Sequence, residues 1–238
     1  MPIEPLPIER FALLAGLPDC VHAFITRVPG IDAREDKQEA LRRLDVVHRE
    51  ARADLGLGTM SFLTADQVHG NEVCLIDELP EGDTCMRSFD GLVTNQPNVC
   101  LGIYVADCCA VYLVDPVRHC IGLVHSGRKG TECDIAGRAI DLMGTRFGSA
   151  AKDLLVQLSP CIRPPHYEID FAAEIVRRCR ERGVVHLHDS GTCTACHLQR
   201  YYSYRAEKGK TGRMLALLAM TSASAVPQSA ASASAPRR

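Results

Sequence analysis

The sequence predicts a layered α/β fold, and three observations support this prediction. Strand-sized apolar runs separated by tight breaks follow Phe62. Apolar residues with helical spacing occur in three further segments. The two patterns interleave along the chain, which favours helices packed on a sheet over an all-β sandwich. The length of 238 residues fits one domain, because chains divide into separate cores beyond roughly 250 residues.

Five apolar runs after Phe62 are predicted to be strands of one sheet. They cover residues 72–77, 91–95, 99–105, 110–114 and 120–125. The last two runs are separated by Asp115-Pro116-Val117-Arg118, in which Pro116 fixes φ at the corner. We therefore expect a hairpin there, with its two strands adjacent and antiparallel.

Three segments are predicted to be helices, and each has a glycine stop at its C-terminal end. The segments are 36–57, 131–147 and 171–182, and the stops are Gly56, Gly148 and Gly183. Thr131 is predicted to cap the second helix at its N terminus. The first helix carries apolar residues every three or four positions, so one of its faces is expected to be buried.

The end of the chain differs in composition from the rest, since alanine and serine dominate residues 221–238. Such a segment cannot bury enough surface to order itself. We therefore expect a single catalytic domain over residues 1–220 and a disordered tail over 221–238.

The charge balance argues against a polyanionic partner, because 27 basic residues nearly cancel 29 acidic ones. A small molecule is expected as partner, rather than nucleic acid or membrane, and the apolar runs are too short to span a bilayer. No export signal is recognisable, so a cytoplasmic location is expected. The twelve cysteines lie in apolar segments and are predicted to be mostly free thiols.

Three metal-competent side chains follow or end predicted strands: His69, Cys108 and His125. Two imidazoles and one thiolate suit zinc, and three protein ligands leave a fourth position for water or substrate. Spacing alone does not establish a metal site in a chain with nine histidines and twelve cysteines, since packing residues give similar triples. The surrounding motifs therefore decide between the two interpretations.

A glycine-containing segment follows His125 and offers a candidate phosphate site. Ser126-Gly127-Arg128-Lys129-Gly130-Thr131 places flexible backbone amides and two cations before a predicted helix. It lacks the spacing of a P-loop, so the pattern is weak by itself. Arg49 and Arg205 are alternative anion ligands, against the simpler interpretations of a solvated helix face and a surface ion pair.

The segment Cys193-Thr194-Ala195-Cys196-His197 matches the attachment motif of c-type haem. That attachment requires export to an oxidising compartment, for which no signal is recognisable. Zinc binding by Cys193 and Cys196 needs two further ligands, for which Cys179, His186 and His188 have no defined pattern. A packed pair of thiols is the simpler interpretation.

The motifs around the three candidate ligands resemble one family, the peptidoglycan editing factors. These purine nucleoside phosphorylases were formerly described as laccase-like multicopper polyphenol oxidases. The likeness rests on Gln67-Val68-His69-Gly70, Ala106-Asp107-Cys108 and Val124-His125-Ser126-Gly127. It continues in order over about residues 20–220, with Asp90-Gly91-Leu92-Val93-Thr94, Pro160-Cys161-Ile162, Tyr167-Glu168-Ile169, Cys193-Thr194, Tyr202-Ser203-Tyr204-Arg205 and Thr211-Gly212-Arg213.

The resemblance implies an αβα sandwich with a mixed sheet, and it places His69, Cys108 and His125 at the positions of the family's metal ligands. The metal implied is usually zinc, with copper as an alternative. The implied activities are phosphorolysis of adenosine, inosine, guanosine and methylthioadenosine, and deamination of adenosine. A purine nucleoside and phosphate are thus the expected partners, while the oligomeric state stays open.

Two loops depart from the family pattern, which leaves the preferred nucleoside open. The family commonly has His-Ala-Gly-Trp-Arg-Gly where this chain has His125-Ser126-Gly127-Arg128-Lys129-Gly130, and Ser159-Pro160-Cys161-Ile162-Arg163 replaces two family glycines. Two other functions remain as alternatives. One is copper-dependent oxidation of phenols, and the other is a thiol-dependent hydrolase linked to peptidoglycan, with Cys108 as nucleophile.

Overall fold

The structure is a computed structural model that describes residues 6–80 and 82–221. The predicted tail therefore lies outside the described residues, apart from Thr221. The described strands are β1 Ile8–Glu9, β2 Cys20–Ile25, β3 Ser61–Ala65, β4 Val73–Ile76, β5 Thr84–Met86, β6 Gly91–Thr94, β7 Val99–Val105, β8 Cys109–Asp115, β9 Cys120–Ser126, β10 Leu155–Leu158, β11 His186–Asp189 and β12 Met214–Met220. The α-helices are α1 Ala12–Ala15, α2 Lys37–Asp54, α3 Arg128–Glu132, α4 Ile135–Phe147 and α5 Phe171–Glu181.

The strands form two mixed sheets of six strands each. The first has the order β1-β2-β12-β7-β3-β5, and the second has the order β11-β10-β8-β9-β6-β4. Each sheet contains two parallel pairings beside its antiparallel ones. The layered α/β class predicted from the sequence is therefore confirmed, with two mixed sheets in the sandwich.

The expectation that all five predicted strands share one sheet is wrong. Strand β7 lies in the first sheet between β12 and β3, whereas β4, β6, β8 and β9 lie in the second. The chain leaves β7 at Val105 and enters β8 at Cys109, so a three-residue connection passes from one sheet to the other. Strands buried on both faces carry no alternation that identifies their neighbours, which explains the error.

The two sheets pack face to face, and side chains alternate between the inner and outer faces as strand geometry requires. In β12, Ala216 and Leu218 join the core between the sheets, while Leu215 and Leu217 face the opposite side. In β8, Tyr112 points into the inner core with its hydroxyl donating to the Ala23 carbonyl at 2.8 Å. Helices α4 and α5 cover the outer face of the second sheet.

The helix predictions hold at two of the three segments. Helix α2 starts after Asp36, whose side chain accepts from the Glu39 N–H, and the chain turns at Gly56 with φ 74°. Helix α5 ends before Gly183, which has φ 91°. Glycine adopts these left-handed conformations without steric cost.

The predicted cap at Thr131 is wrong. Thr131 lies inside the short helix α3, and its hydroxyl contacts that of Ser126 at 2.9 Å. The cap of α4 is Asp134, whose carboxylate accepts from the Gly137 N–H. An aspartate three residues farther on thus supplies the side-chain oxygen that the threonine was expected to supply.

The predicted hairpin is confirmed, because β8 and β9 pair antiparallel and Asp115 lies opposite Cys120. One carboxylate oxygen of Asp115 accepts from the Val117 and Arg118 N–H groups, each at 2.9 Å. These bonds close the turn through a side chain, as aspartate commonly does at the start of turns.

The cysteine prediction is also confirmed, since all twelve cysteines are free thiols.

Within residues 6–80 and 82–221, no helix is long and apolar enough to cross a membrane.

His48 on α2 gives a testable pH dependence of stability. It is 3 % exposed, neither ring nitrogen has a hydrogen-bond partner among the described residues, and burial lowers its pKa to about 4. The unfolded chain binds a proton near pH 6.5 and the folded chain does not, so stability is full above pH 6.5 and falls towards pH 4. As the pH falls from 7 to 5, proton binding to His48 in the unfolded chain lowers the free energy of unfolding by about 2 kcal/mol.

The measurement is urea unfolding at both pH values for the original protein, for His48→Leu and for the exposed-histidine control His166→Leu. His48→Leu is expected to remove about 2 kcal/mol of the loss between the two pH values. An equal loss in all three proteins contradicts the assignment to His48.

Candidate metal centre and cavity

The three candidate ligands meet where the two sheets are connected. His69 lies on the segment from β3 in the first sheet to β4 in the second. Cys108 lies on the corresponding connection from β7 to β8, and His125 is the penultimate residue of β9. Residues from both sheets therefore converge at one end of the sandwich, which gives the side chains a rigid support.

Backbone strain is concentrated at this end of the sandwich. Gln67, His69 and Asp107 have φ values of 61°, 61° and 81°. Residues other than glycine adopt this left-handed backbone conformation at a cost of about 1–3 kcal/mol each, and such residues cluster at functional sites. Gln67 compensates by pairing with the backbone of Tyr104, donating to its carbonyl at 2.6 Å and accepting from its N–H at 3.1 Å.

The ligand atoms of His69, Cys108 and His125 all lie within 4.8 Å of one another. Among the described residues, this is the one group of three or more such side chains close enough to hold a metal ion together. His125 is buried, Cys108 is half-buried and His69 is exposed, so the group is anchored inside and open towards the surface. This openness matches catalytic metal sites, in which protein side chains fill three positions.

Asp90 holds the two histidines in place. Its buried carboxylate contacts Nδ1 of His125 at 3.0 Å and accepts from the N–H groups of His69 at 2.8 Å and Gly70 at 2.7 Å. Its backbone carbonyl also accepts from the His125 N–H at 2.7 Å. With Nδ1 engaged, Nε2 of His125 is the nitrogen available to a metal, the arrangement seen in carboxylate–histidine–zinc triads.

The electrostatics of the group favour a thiolate at Cys108. Burial opposes the charged form, but the adjacent His125 and His69 outweigh it and lower the pKa of Cys108 to about 6. Burial likewise opposes charge on His125, yet Cys108 and Asp90 raise the His125 pKa to about 9. Asp90 stays ionised, because hydrogen bonds from His125 and Gly70 lower its pKa against the effect of burial.

These residues fit a zinc ion. Metal coordination requires a deprotonated thiol and a neutral imidazole with an oriented ring. Cys108 supplies the thiolate and Asp90 orients the ring, whereas His125, whose pKa is raised, would give up its proton on binding the metal. The nitrogen and sulfur donors also suit copper, so the donor set alone does not identify the metal.

A cavity of about 1000 Å³ opens onto the three ligands. Its walls contain the aromatic side chains of Tyr104, Tyr167, Phe171 and Tyr204. Its cationic residues are Lys37, Arg128, Lys129, Arg205, Lys208 and Arg213. A space of this size, with flat aromatic faces and several cations, suits a ligand that has a planar ring and an anionic group.

The structure brings part of the predicted phosphate segment to the cavity. Arg128 and Lys129 line it, and so does Arg205, which is paired with Glu168 at 2.8 Å. Gly127, Gly130 and Thr131 are not among the residues that line the cavity. Gly127 and Gly130 lie against the candidate ligands, since a Cβ at Gly127 would be 2.5 Å from the Cys108 sulfur and one at Gly130 would be 3.4 Å from the His125 carbonyl oxygen. Helix α3 has five residues, so the cations carry more of the expected anion attraction than a helix dipole does.

Arg49 is not brought to this cavity. It lies on the exposed face of α2, pairs with Asp45 at 2.8 Å and lines a separate small cavity. This position matches the simpler interpretation given for Arg49 from the sequence, a solvated helix face.

Several residues that line or support the site were not assigned a role from the sequence. Lys37 donates to the Asp66 carbonyl at 2.9 Å, and burial lowers its pKa. Arg213 is 9 % exposed, donates to the carbonyls of Thr211 and Gly212, and also has a pKa lowered by burial. Arg213 could have been identified from the Thr211-Gly212-Arg213 motif that the chain shares with the family. The sequence around Lys37 contains no feature that distinguishes it from a solvent-exposed lysine.

Gly127 gives a test of the ligand geometry. Its φ of −96° suits any residue, but a Cβ at this position lies 2.5 Å from the Cys108 sulfur. Gly127→Ala is therefore expected to displace the thiol and lower zinc affinity about tenfold or more, while the protein still folds. Gly16→Ala is the control, since no atom lies within 4 Å of its Cβ. Equal zinc affinity of both variants, measured by competition with a chelator, contradicts this geometry.

The fold and the site define a layered α/β protein with a candidate three-residue metal centre. A family model described as "Multi-copper polyphenol oxidoreductase laccase" matches residues 31–174 and 168–221. The chain therefore belongs to this family, and the resemblance found in the sequence is confirmed.

Relatives of the chain carry the name of a nucleoside enzyme. A protein of Deinococcus radiodurans named purine nucleoside phosphorylase is 30% identical over 248 residues, covering 90% of this chain and 93% of that one. Purine nucleoside phosphorylase YlmD of Geobacillus stearothermophilus is 29% identical over 216 residues, covering 74% and 79%. The crystal structure of YlmD from the same species superposes with a TM-score of 0.75 at 22% identity, over 92% of this chain and 100% of that one, which supports the fold.

Proposed function

We propose that the chain is a zinc-dependent purine nucleoside phosphorylase with adenosine deaminase activity. Its substrates are adenosine, inosine, guanosine and methylthioadenosine, together with phosphate. The observation that carries the proposal is the convergence of His69, Cys108 and His125 on a large cavity with aromatic and cationic walls. The relatives named purine nucleoside phosphorylase give this site a reaction.

In phosphorolysis, a phosphate oxygen forms a bond to the anomeric carbon of the sugar while the N-glycosidic bond breaks. The bonding electrons pass to the base nitrogen, which then takes a proton, and the products are a free purine and a pentose 1-phosphate. The cavity provides for both partners: Tyr167 and Tyr204 offer faces on which a purine can stack, and Arg128 and Arg205 offer positive charge for phosphate.

The two arginines are held by exchangeable partners. Arg128 is paired with Glu132 and Arg205 with Glu168, and in each pair both side chains are more than half exposed. Exposed ion pairs contribute about 0–1 kcal/mol, so phosphate can replace the carboxylates at little cost. Positioning of both reactants beside each other supplies the rate enhancement for this step.

Deamination of adenosine requires water at C6 of the base. When bound by His69, Cys108 and His125, zinc supplies Lewis acidity and makes water nucleophilic near neutral pH. The chain's own part is to hold the His125 ring through Asp90 and to present the base to that end of the cavity.

The test is to incubate the zinc-loaded protein with adenosine in the presence and absence of phosphate. Adenine and ribose 1-phosphate are expected only when phosphate is present, whereas inosine is expected both with and without phosphate. Cys108→Ala is expected to abolish all three products, whereas Cys85→Ala, which changes an exposed thiol outside the large cavity, keeps them. Absence of all three products from the zinc-loaded protein contradicts the proposal.

The family description favours a second candidate, copper-dependent oxidation of phenols. Multicopper centres need many histidines, but the described residues contain one group of three metal-competent side chains. His186 and His188 alternate along β11 and are exposed, with no further ligand grouped beside them in the described residues. Copper-dependent oxygen uptake with a phenolic substrate, at a rate above that of nucleoside turnover, would favour this candidate.

The lowered pKa of Cys108 favours a third candidate, a thiol-dependent hydrolase. Metal removal distinguishes it from the main proposal, because a thiolate nucleophile paired with His125 needs no ion. Full peptidoglycan-fragment hydrolysis by chelator-treated protein supports the thiol reaction, and restoration of nucleoside turnover by zinc supports the metal reaction.

A further inference from the structure

Cys193 and Cys196 are brought together by a single turn of 3₁₀ helix. The turn covers Thr194–Cys196, and the Cys196 N–H donates to the Cys193 carbonyl at 3.3 Å. Cys193 is the extended N-cap of this helix, and the hydrogen bond closes a four-residue turn. The end Cα atoms of such a turn lie within about 7 Å of each other, close to the range of Cα separations in disulfides. The neighbouring Cys193 thiol raises the pKa of Cys196, which agrees with this proximity.

The two thiols differ in accessibility. Cys196 is exposed, whereas Cys193 is 9 % exposed and lies against the Arg163 carbonyl at 3.9 Å. A reagent in solution therefore reaches Cys196 first, and Cys193 is positioned to react with whatever forms there. This order is the usual arrangement of an attacking and a resolving cysteine.

We propose that Cys193 and Cys196 form a reversible disulfide, a modification site that reacts with small-molecule disulfides of the glutathione class. In the first step the Cys196 thiolate attacks one sulfur of the small disulfide and releases one small thiol. The Cys193 thiolate then attacks the Cys196 sulfur and releases the second. One protein dithiol and one small disulfide thus become one protein disulfide and two small thiols, which carry both protons.

The turn is connected to the candidate metal centre through Thr194. The Thr194 hydroxyl donates to one carboxylate oxygen of Asp107 at 2.7 Å, and the Arg205 N–H donates to the other at 2.7 Å. Asp107 precedes Cys108 and has a φ of 81°, so its side-chain bonds hold a strained connection. Closing the disulfide restricts the turn that carries Thr194 and thereby tightens the support of Asp107.

The turn itself is anchored on the neighbouring chain. Cys161 donates its N–H to the Thr192 carbonyl at 3.2 Å and accepts from the Thr194 N–H at 3.1 Å. Cys161 pairs with Cys193 in a parallel backbone bridge and is buried, whereas Cys196 is exposed, so a reagent in solution reaches Cys196 rather than Cys161. This site does not depend on the proposed nucleoside chemistry.

The experiment uses the full chain carrying Cys85→Ser and Cys133→Ser, which remove the other cysteines that the structure shows as exposed. The protein is treated with oxidised glutathione, alkylated and digested, and its peptides are examined by mass spectrometry. A disulfide between Cys193 and Cys196 that dithiothreitol reverses is expected. With Cys193→Ser added, a glutathione adduct on Cys196 is expected to persist. A stable adduct on Cys196 while Cys193 is present, or alkylation of both thiols, overturns the proposal.

Amide hydrogen exchange tests the connection to Asp107 without an activity assay. The Arg205 N–H donates a hydrogen bond to the Asp107 carboxylate. Oxidation is expected to slow the exchange rate of this amide hydrogen by about threefold or more. The Arg118 N–H, held by Asp115 in the β8–β9 hairpin, is the control and is expected to be unchanged. Equal exchange of the Arg205 N–H in reduced and oxidised protein overturns the connection.

Discussion

Replacing His69 with asparagine is expected to lower zinc affinity by more than about 100-fold and to abolish nucleoside turnover. The effect should exceed the 10–100-fold losses typical of residues that support a ligand, because a ligand itself is removed. His69 is exposed, so its loss leaves no unfilled core volume. Asparagine also tolerates the φ of 61° at this position, which separates ligand loss from backbone strain.

The matched control is His119→Asn. His119 is also exposed and has a positive φ of 49°, but it lies at the β8–β9 turn, away from the large cavity. Zinc content after dialysis, measured by elemental analysis, should fall for His69→Asn and stay at one ion per chain for His119→Asn. Retention of zinc by both variants would remove His69 from the ligand set.

Asp90→Asn is expected to lower zinc affinity about 10–100-fold and the free energy of unfolding by roughly 1–3 kcal/mol. The carboxylate accepts from three N–H groups, those of His125, His69 and Gly70. An amide has one acceptor oxygen, so in either orientation its NH₂ group faces at least one of these donors. With the NH₂ group at the Oδ1 position, the His125 ring and the His69 N–H lose their acceptor; with the NH₂ group at the Oδ2 position, the Gly70 N–H loses its acceptor.

Asp115→Asn is the control for this substitution. Asp115 is equally buried and also binds backbone N–H groups, but one of its oxygens accepts both and the other has no partner among the described residues. An amide therefore fits at Asp115, and zinc affinity should be unchanged. Both affinity and stability are measured, by chelator competition and urea unfolding. Unchanged zinc affinity in Asp90→Asn would show that Asp90 has a purely structural role.

The sequence identified the three candidate ligands, but it did not identify the residues that support them. His69, Cys108 and His125 could be identified because motifs surround each of them, and the structure brings the three together. Asp90 stood in a quoted motif, yet its role depends on the pairing of β6 with β9, which places Gly91 opposite Val124. That register is a property of the folded sheet, and periodicity within one strand does not reveal it.

The predicted strands were real, but their distribution between two sheets was not foreseen. Strands β7 and β8 are buried and nearly continuous in sequence, and the turn at Asp107 that separates them requires a strained residue. Sequence patterns do not report strain at a residue other than glycine. Similarly, Arg128 and Arg49 were both candidate anion ligands in the sequence, and the folded structure places Arg128 at the large cavity and Arg49 at a separate one.

The central claim is that one metal ion is held by His69, Cys108 and His125. The most direct measurement is anomalous X-ray scattering, recorded on either side of the zinc absorption edge from crystals of the zinc-loaded protein. The account predicts one zinc peak per chain, bonded to the Cys108 sulfur and to one ring nitrogen of each histidine at about 2.0–2.3 Å. A zinc peak bound elsewhere, with these three side chains free of metal, would contradict it.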